Sequence, residues 1–158
     1  MGVEIERKFL VTTDIWRVHV CEPGRLLRQG YLVSGPPLTV RVRISESEAW
    51  LTLKGLVVGL SRSEFEYSIP LSDAEEMLAS YAVSAVVEKI RYRIAFGNLV
   101  IEVDEFRGDN DGLIVAEVEF PDEDTPFSPP DWFAREVTED SRYSNSQLAM
   151  YPFSKWNN

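Results

Sequence analysis

Hydrophobic and polar residues alternate through most of the first 120 positions, with the two-residue period of half-buried strands. In Val3–Val11, Glu4, Glu6 and Lys8 fall on one face, with Val3, Ile5 and Phe9 on the other. Arg25–Ser34 reads as a second strand, broken by Gly35-Pro36-Pro37. Leu38–Ile44 sets Thr39, Arg41 and Arg43 against Val40, Val42 and Ile44. Ala49–Lys54 then groups Trp50, Thr52 and Lys54, and the polar turn at residues 45–48 makes this pair a hairpin. Arg62–Ile69 places Arg62, Glu64, Glu66 and Ser68 opposite Phe65, Tyr67 and Ile69. Residues 84–95 carry Lys89, Arg91 and Arg93 on one side and lead through Gly97-Asn98, a tight-turn pair, into 99–106 with Glu102 and Asp104 together. Leu113–Phe120 closes the series with Glu117 and Glu119 on its polar face.

Helical signals are few. Thr12-Thr13-Asp14 offers N-caps for a short helix near 13–19, and Ser72 with Glu75 forms a capping box for a helix over 72–81. Beyond Pro121 the chain is Pro-rich and acidic; residues 130–136 and 144–151 read as short helices, the second capped by Ser144 or Asn145. Residues 55–61 form a Gly-flanked flexible connection and lack the Lys-Ser/Thr of a phosphate-cradling loop. Gly108–Gly112 lacks the spacing of a calcium-binding loop and reads as a solvated turn.

The length of 158 residues suits one domain with a substantial core. No apolar run approaches a membrane span and no secretory signal is visible, so neither a membrane nor export is expected. One cysteine, Cys21, cannot form an internal disulfide, which suits a reducing cytoplasm. His19 and Cys21 stand alone and are poor candidates for metal or nucleophilic chemistry. The net charge of −10 speaks against a broad nucleic-acid surface, yet local charge can still gather an anion in an enclosed site.

The ionisable groups of the strand faces are matched in sign. The acids are Glu4, Glu6, Glu64, Glu66, Glu102, Asp104, Glu117 and Glu119; the bases are Lys8, Arg41, Arg43, Lys54, Arg62, Lys89, Arg91 and Arg93. Carboxylates two residues apart on a strand stand about 7 Å apart, near enough to converge on one hard cation. Three arrangements compete. An open sheet would show these charges to water. A structural network of exposed pairs would add only about 0–1 kcal/mol for each pair. A barrel with a charged interior would hold a polyanion on its bases and a divalent metal on its acids. Pattern alone leaves the first and third open.

Longer motifs narrow the choice. Glu4-Ile5-Glu6-Arg7-Lys8, Gln29-Gly30-Tyr31, Arg41-Val42-Arg43, Leu53-Lys54-Gly55, Arg62-Ser63-Glu64-Phe65-Glu66, Glu88-Lys89-Ile90-Arg91, Glu117-Val118-Glu119 and Arg142-Tyr143-Ser144-Asn145 occur in the order in which they run through one family. By these motifs the chain resembles the CYTH family, the triphosphate tunnel metalloenzymes, and most of all its small bacterial members. The resemblance implies a mainly β, α+β fold: one domain over residues 1–158, an eight-stranded antiparallel tunnel-like barrel with a charged interior, flanked by short helices. It implies metal-dependent hydrolysis of a small-molecule triphosphate, inorganic triphosphate first, by a monomer or homodimer. Family activities also include thiamine triphosphatase, class IV adenylate cyclase and RNA 5′-triphosphatase.

Carried onto matching positions, Lys8, Arg41, Arg43, Lys54, Lys89 and Arg91 hold phosphates. Glu4, Glu6, Glu117 and Glu119 hold Mg2+ or Mn2+, with Glu64, Glu66, Glu102 and Asp104 as further ligands or orienters. Glu4, Glu6, Lys8 and Lys89 form the expected catalytic set, in which a water oriented by metal and a carboxylate of the Glu4/Glu6 group attacks the terminal phosphorus. Crowded carboxylates titrate at raised pKa, so metal affinity and activity are expected to rise toward alkaline pH. Only Met1-Gly2-Val3 precedes Glu4, without the His-Phe pair of class IV cyclases, and the chain shows no obvious element to grip a base or a thiazole ring. Both features rank a cyclase second. A non-catalytic polyphosphate or nucleotide binder is the third reading, disfavoured because acids facing an anion gain nothing without metal.

Overall fold

The computed structural model describes residues 2–156. Eight antiparallel strands close on themselves: β1 (Gly2–Leu10), β2 (Arg25–Val33), β3 (Thr39–Ser45), β4 (Glu48–Lys54), β5 (Ser61–Ile69), β6 (Val87–Phe96), β7 (Leu99–Phe106) and β8 (Ile114–Glu119). Their order around the barrel is β1-β5-β4-β3-β2-β6-β7-β8, and β1 closes the ring by pairing Gly2–Ile5 with β5 and Glu6–Leu10 with β8. The β3–β4 and β6–β7 hairpins lie where alternation and turn residues placed them; Gly97 takes φ 62°, a left-handed conformation that glycine adopts without a Cβ penalty.

Register aligns the charged positions. Glu6 faces Glu119 and Lys8 faces Glu117 across β1 and β8, while Arg91 faces Asp104 and Arg93 faces Glu102 across β6 and β7. Since side chains alternate, all these groups turn inward and the apolar partners turn out. The main cores therefore lie outside the barrel wall. Val42, Ile44 and Ala49 pack under Ala74 of α1 (Leu71–Tyr81), with Leu71, Met77 and Leu78 alongside. Ile94, Ile101, Val103, Ala116 and Val118 pack against Trp16, Phe120 and Trp132.

At one barrel end the inward positions are apolar instead. Tyr31, Val87, Phe106 and Val115 meet Val137, Tyr143, and Leu148 and Ala149 of α2 (Asn145–Met150), so the C-terminal segment closes part of that mouth. Ser144 caps α2 by accepting from the Gln147 N–H at 3.3 Å.

Several local expectations are corrected. Residues 130–136 form no helix: Ala134 N–H donates to Leu10 O, Leu10 N–H to Arg135 O and Val137 N–H to Lys8 O, tying this stretch to β1. The short helix expected near 13–19 is present, as a 3-10 helix over Ile15–His19 with Asp14 at its N-cap position, and it anchors fully buried Trp16. Pro70 stands at the α1 N-cap with no side-chain bond, so the Ser72/Glu75 capping box does not form; Ser72 is already inside the helix. In the 108–112 turn, Asn110 is buried and its Oδ1 accepts from Phe153 N–H at 2.8 Å, which anchors the C-terminal segment. Among the described residues, no helix is long and apolar enough to cross a membrane.

Candidate active site

The bore encloses a cavity of about 180 Å3 lined almost entirely by polar side chains. Lys89 Nζ lies 2.7 Å from Asp104 Oδ2 and donates to Asn145 Oδ1 at 2.7 Å. Arg91 grips Asp104 with two parallel bonds, Nε at 2.8 Å and Nη2 at 2.9 Å, and reaches Glu102 at 3.3 Å and Glu117 at 3.6 Å. Arg41 donates to Thr52 Oγ1 at 3.2 Å, and Thr52 donates to Glu66 at 3.0 Å. Arg43 Nε donates to Gln29 Oε1 at 2.9 Å. Nearer β1, Lys54 Nζ donates to both oxygens of Glu4, at 2.9 and 3.1 Å, and stands 3.3 Å from Glu64. Lys8 bridges Glu6 at 3.8 Å and Glu117 at 3.9 Å.

Two features mark a place for an anion. Among the described residues Arg43 has no carboxylate within ion-pair distance, and Arg41 Nε is buried without an acceptor. Burial, then repulsion from Arg41 and Arg91, lowers Arg43 to about 9. Concentrated cations with unmet donors fit the planar, oxygen-rich faces of phosphate groups.

A profile of the CYTH domain matches residues 2–149. The chain belongs to the CYTH family. Among its CYTH relatives, the inorganic triphosphatase of Acetivibrio thermocellus is 45% identical over 156 residues, covering 99% of each chain. That of Nitrosomonas europaea is 42% identical over 153 residues, covering 93% of this chain and 97% of its own. A crystal structure of an inorganic triphosphatase superposes with a TM-score of 0.66 at 39% identity, over 95% of this chain and 96% of that one. CYTH triphosphatases depend on divalent metal.

The acids of this CYTH bore fit such a cation in chemistry. They are hard oxygen donors, and among the described residues Glu119 has no ion-pair partner while Glu6 has only Lys8, at 3.8 Å. Burial, then repulsion from Glu117, pushes Glu6 up to about 7 against the pull of Lys8. Burial and the charges of Glu4, Glu64 and Glu102 raise Glu119, and Glu64 is raised by burial and Glu4 against the pull of Lys54. Burial would also raise Glu4, but Lys54 and Arg62 overcome it and hold that carboxyl at about 2. Among the described residues no three carboxylates converge on one point as they stand, because lysines engage them: Lys54 holds Glu4 and Lys8 spans Glu6 and Glu117.

Of the residues singled out in the sequence, Glu4, Glu6, Lys8, Arg41, Arg43, Lys54, Glu64, Glu66, Lys89, Arg91, Glu102, Glu117 and Glu119 line the cavity. Asp104 does not. It is fully buried behind Lys89 and Arg91, with both oxygens taken, so it orients those cations and is not placed to ligate a metal. Burial works to raise it, but Arg91 and Lys89 hold it far below the carboxylate range.

Other lining residues had weaker signals. Arg62 shares the inward face of Glu64 and donates to Gly55 O at 3.0 Å, while Tyr31 and Thr39 sit at inward strand positions. Ser144, Asn145 and Ser146 arrive from the C-terminal segment. The 55–60 connection, with Leu56, Val57 and Leu60, joins Pro36, Pro37 and Leu38 around a wider opening of the bore, so an apolar element does stand at this mouth.

Proposed function

We propose that this CYTH protein hydrolyses inorganic triphosphate to pyrophosphate and orthophosphate inside the barrel, with Mg2+ or Mn2+. The observation that carries the reading is the gathering of Arg41, Arg43 and Arg91 in one cavity, with Arg43 lacking a carboxylate partner among the described residues and Arg41 Nε lacking an acceptor, beside the carboxylates of Glu4, Glu6 and Glu119. The two triphosphatase relatives, alike over nearly their whole length, support the same chemistry.

Phosphoryl transfer needs positioning and charge neutralisation more than covalent help. Arg41, Arg43 and Arg91 clamp phosphate oxygens with paired N–H donors, while Lys8, Lys54 and Lys89 supply point charges along the chain of phosphates. Asp104 fixes Lys89 and Arg91 in place, so little reorganisation is needed when charge develops on the terminal phosphoryl group. Glu4, Glu6, Glu64, Glu117 and Glu119 would hold the cation, with Glu66 and Glu102 bracing Arg41 and Arg91. Bound there, a divalent cation neutralises triphosphate charge and acidifies a coordinated water. A carboxylate of the Glu4/Glu6 group would orient the attacking water and take up its proton while the bridging P–O bond breaks and pyrophosphate leaves.

A second reading is an organic triphosphate whose head group rests against Leu56, Val57 and Leu60 at the mouth. One assay separates the two: phosphate release from inorganic triphosphate, pyrophosphate, ATP and thiamine triphosphate with Mg2+, Mn2+ or Ca2+, beside Glu6→Ala and Lys89→Ala. Inorganic triphosphate is expected to be turned over fastest, and both variants to lose activity. Faster release from an organic triphosphate would install the second reading; tight binding without release under any cation would overturn both.

A further inference from the structure

Asn145 reaches into the bore from the start of α2 and bonds groups on the barrel wall. Its Oδ1 accepts from Lys89 Nζ at 2.7 Å and from Gln29 Nε2 at 3.2 Å. Donor chemistry fixes this orientation. Arg43 Nε can only donate, so the atom it meets on Gln29 is the carbonyl oxygen, and the Gln29 amide nitrogen faces Asn145. The Lys89 ammonium has no acceptor either, so the Asn145 oxygen must lie between the two donors. The Nδ2 group then occupies the opposite corner of the planar amide, and among the described residues it has no hydrogen-bond acceptor.

We propose that Asn145 is a substrate-binding residue of the bore: its Oδ1 holds Lys89 in place, and its Nδ2 donates to a phosphate oxygen of the substrate. The inference rests on the triphosphate reading and extends it to the C-terminal segment. A neutral donor suits this position, since Arg43 and Lys89 already crowd charge on either side of the amide relay. Gln29 carries the order of that relay to Arg43, so one side chain of α2 aligns two of the cations assigned to phosphate. The helix itself is secured without Asn145: Leu148 and Ala149 are buried against Val87 and Phe106, and Ser144 supplies the cap. That division of labour allows the side chain to be removed while the helix stays docked.

The test compares wild type with Asn145→Ala and Asn145→Ser, both uncharged, so no new charge acts on the anion. Calorimetric titration with inorganic triphosphate in EDTA reads affinity, thermal unfolding reads fold, and steady-state phosphate release separates KM from kcat. Loss of one hydrogen bond to a charged group predicts affinity weakened about tenfold or more at a nearly unchanged melting temperature, with KM rising more than kcat falls. A folded variant that binds triphosphate within about twofold of wild type, well short of one lost bond, overturns the proposal. Loss of the folded state in both variants does so too, since Asn145 would then be a structural anchor. Wild type that binds triphosphate but releases no phosphate sinks the hydrolase reading and leaves this comparison intact; wild type that neither binds triphosphate in EDTA nor releases phosphate from it with Mg2+ or Mn2+ overturns both.

Discussion

Lys89 Nζ lies 2.7 Å from Asp104 Oδ2, and neither side chain has exposed surface. Burial lowers the lysine to about 7, with Arg91 and Arg43 adding repulsion, and Asp104 is the counter-charge that opposes this and favours the ionised form of both inward cations. Asp104→Asn should leave both under-compensated and cost about 3–5 kcal/mol, the scale for breaking a buried pair. Denaturant unfolding checks this, and triphosphate affinity should fall in parallel. A variant as stable as the parent would show that Asp104 is not the keystone of this cluster.

Glu6 and Glu119 are placed to serve the cation more than the fold. Both are raised by their surroundings, so each resists ionisation until a positive partner arrives. Glu6→Gln and Glu119→Gln should therefore weaken Mn2+ binding about tenfold or more, while the metal-free melting temperature stays level or rises. Mn2+ titration followed by calorimetry measures the first, thermal unfolding in EDTA the second.

The pH dependence of stability carries a distinct sign. Glu6 binds its proton more tightly folded than unfolded, so in EDTA the folded state holds more protons above the ordinary carboxylate range. Stability should then fall as pH rises from about 5 to 7, with Glu64 and Glu119 contributing in the same direction. Lys89, lowered by burial, acts in the opposite sense above that window. Mg2+ should flatten the fall by favouring the ionised carboxylates. Melting temperatures at stepped pH, with and without Mg2+, would expose a wrong sign at once.

The inverted core makes its own demand. Ile101 has no exposed surface and packs on the outer wall beside Trp16 and Trp132, away from the bore. Ile101→Ala should cost about 2–5 kcal/mol as a cavity-forming change, yet leave the KM for triphosphate unaltered. A large KM change would mean that the wall does not insulate the site from the core.

The strands and their inward faces were legible because alternation is local: Glu4, Arg41, Lys54 and Arg91 announce their side by parity with their neighbours. Closure was not legible in alternation, which is the same for an open sheet; only the ordered family motifs implied it. It depends on β1 dividing its pairing between β5 and β8, sequence-distant partners that leave no local trace. The same holds for residues 130–136, whose helix-like pattern yields to backbone pairing with Leu10 and Lys8. Asp104 has the parity of a lining residue and does turn inward, but the side chains of Arg91 and Lys89 close over both its oxygens and cut it off from the cavity. Asn145 was legible as a helix cap; because Ser144 takes that role, its side chain is free to enter the bore.

The account stands on an anion and a cation sharing the barrel interior. A crystal structure of the protein soaked with inorganic triphosphate and Mn2+, with the metal located by anomalous scattering, tests it most directly. The expected map places phosphates against Arg41, Arg43, Lys89 and Arg91, and Mn2+ among Glu4, Glu6 and Glu119. Triphosphate bound outside the bore, or Mn2+ bound away from those carboxylates, would contradict it.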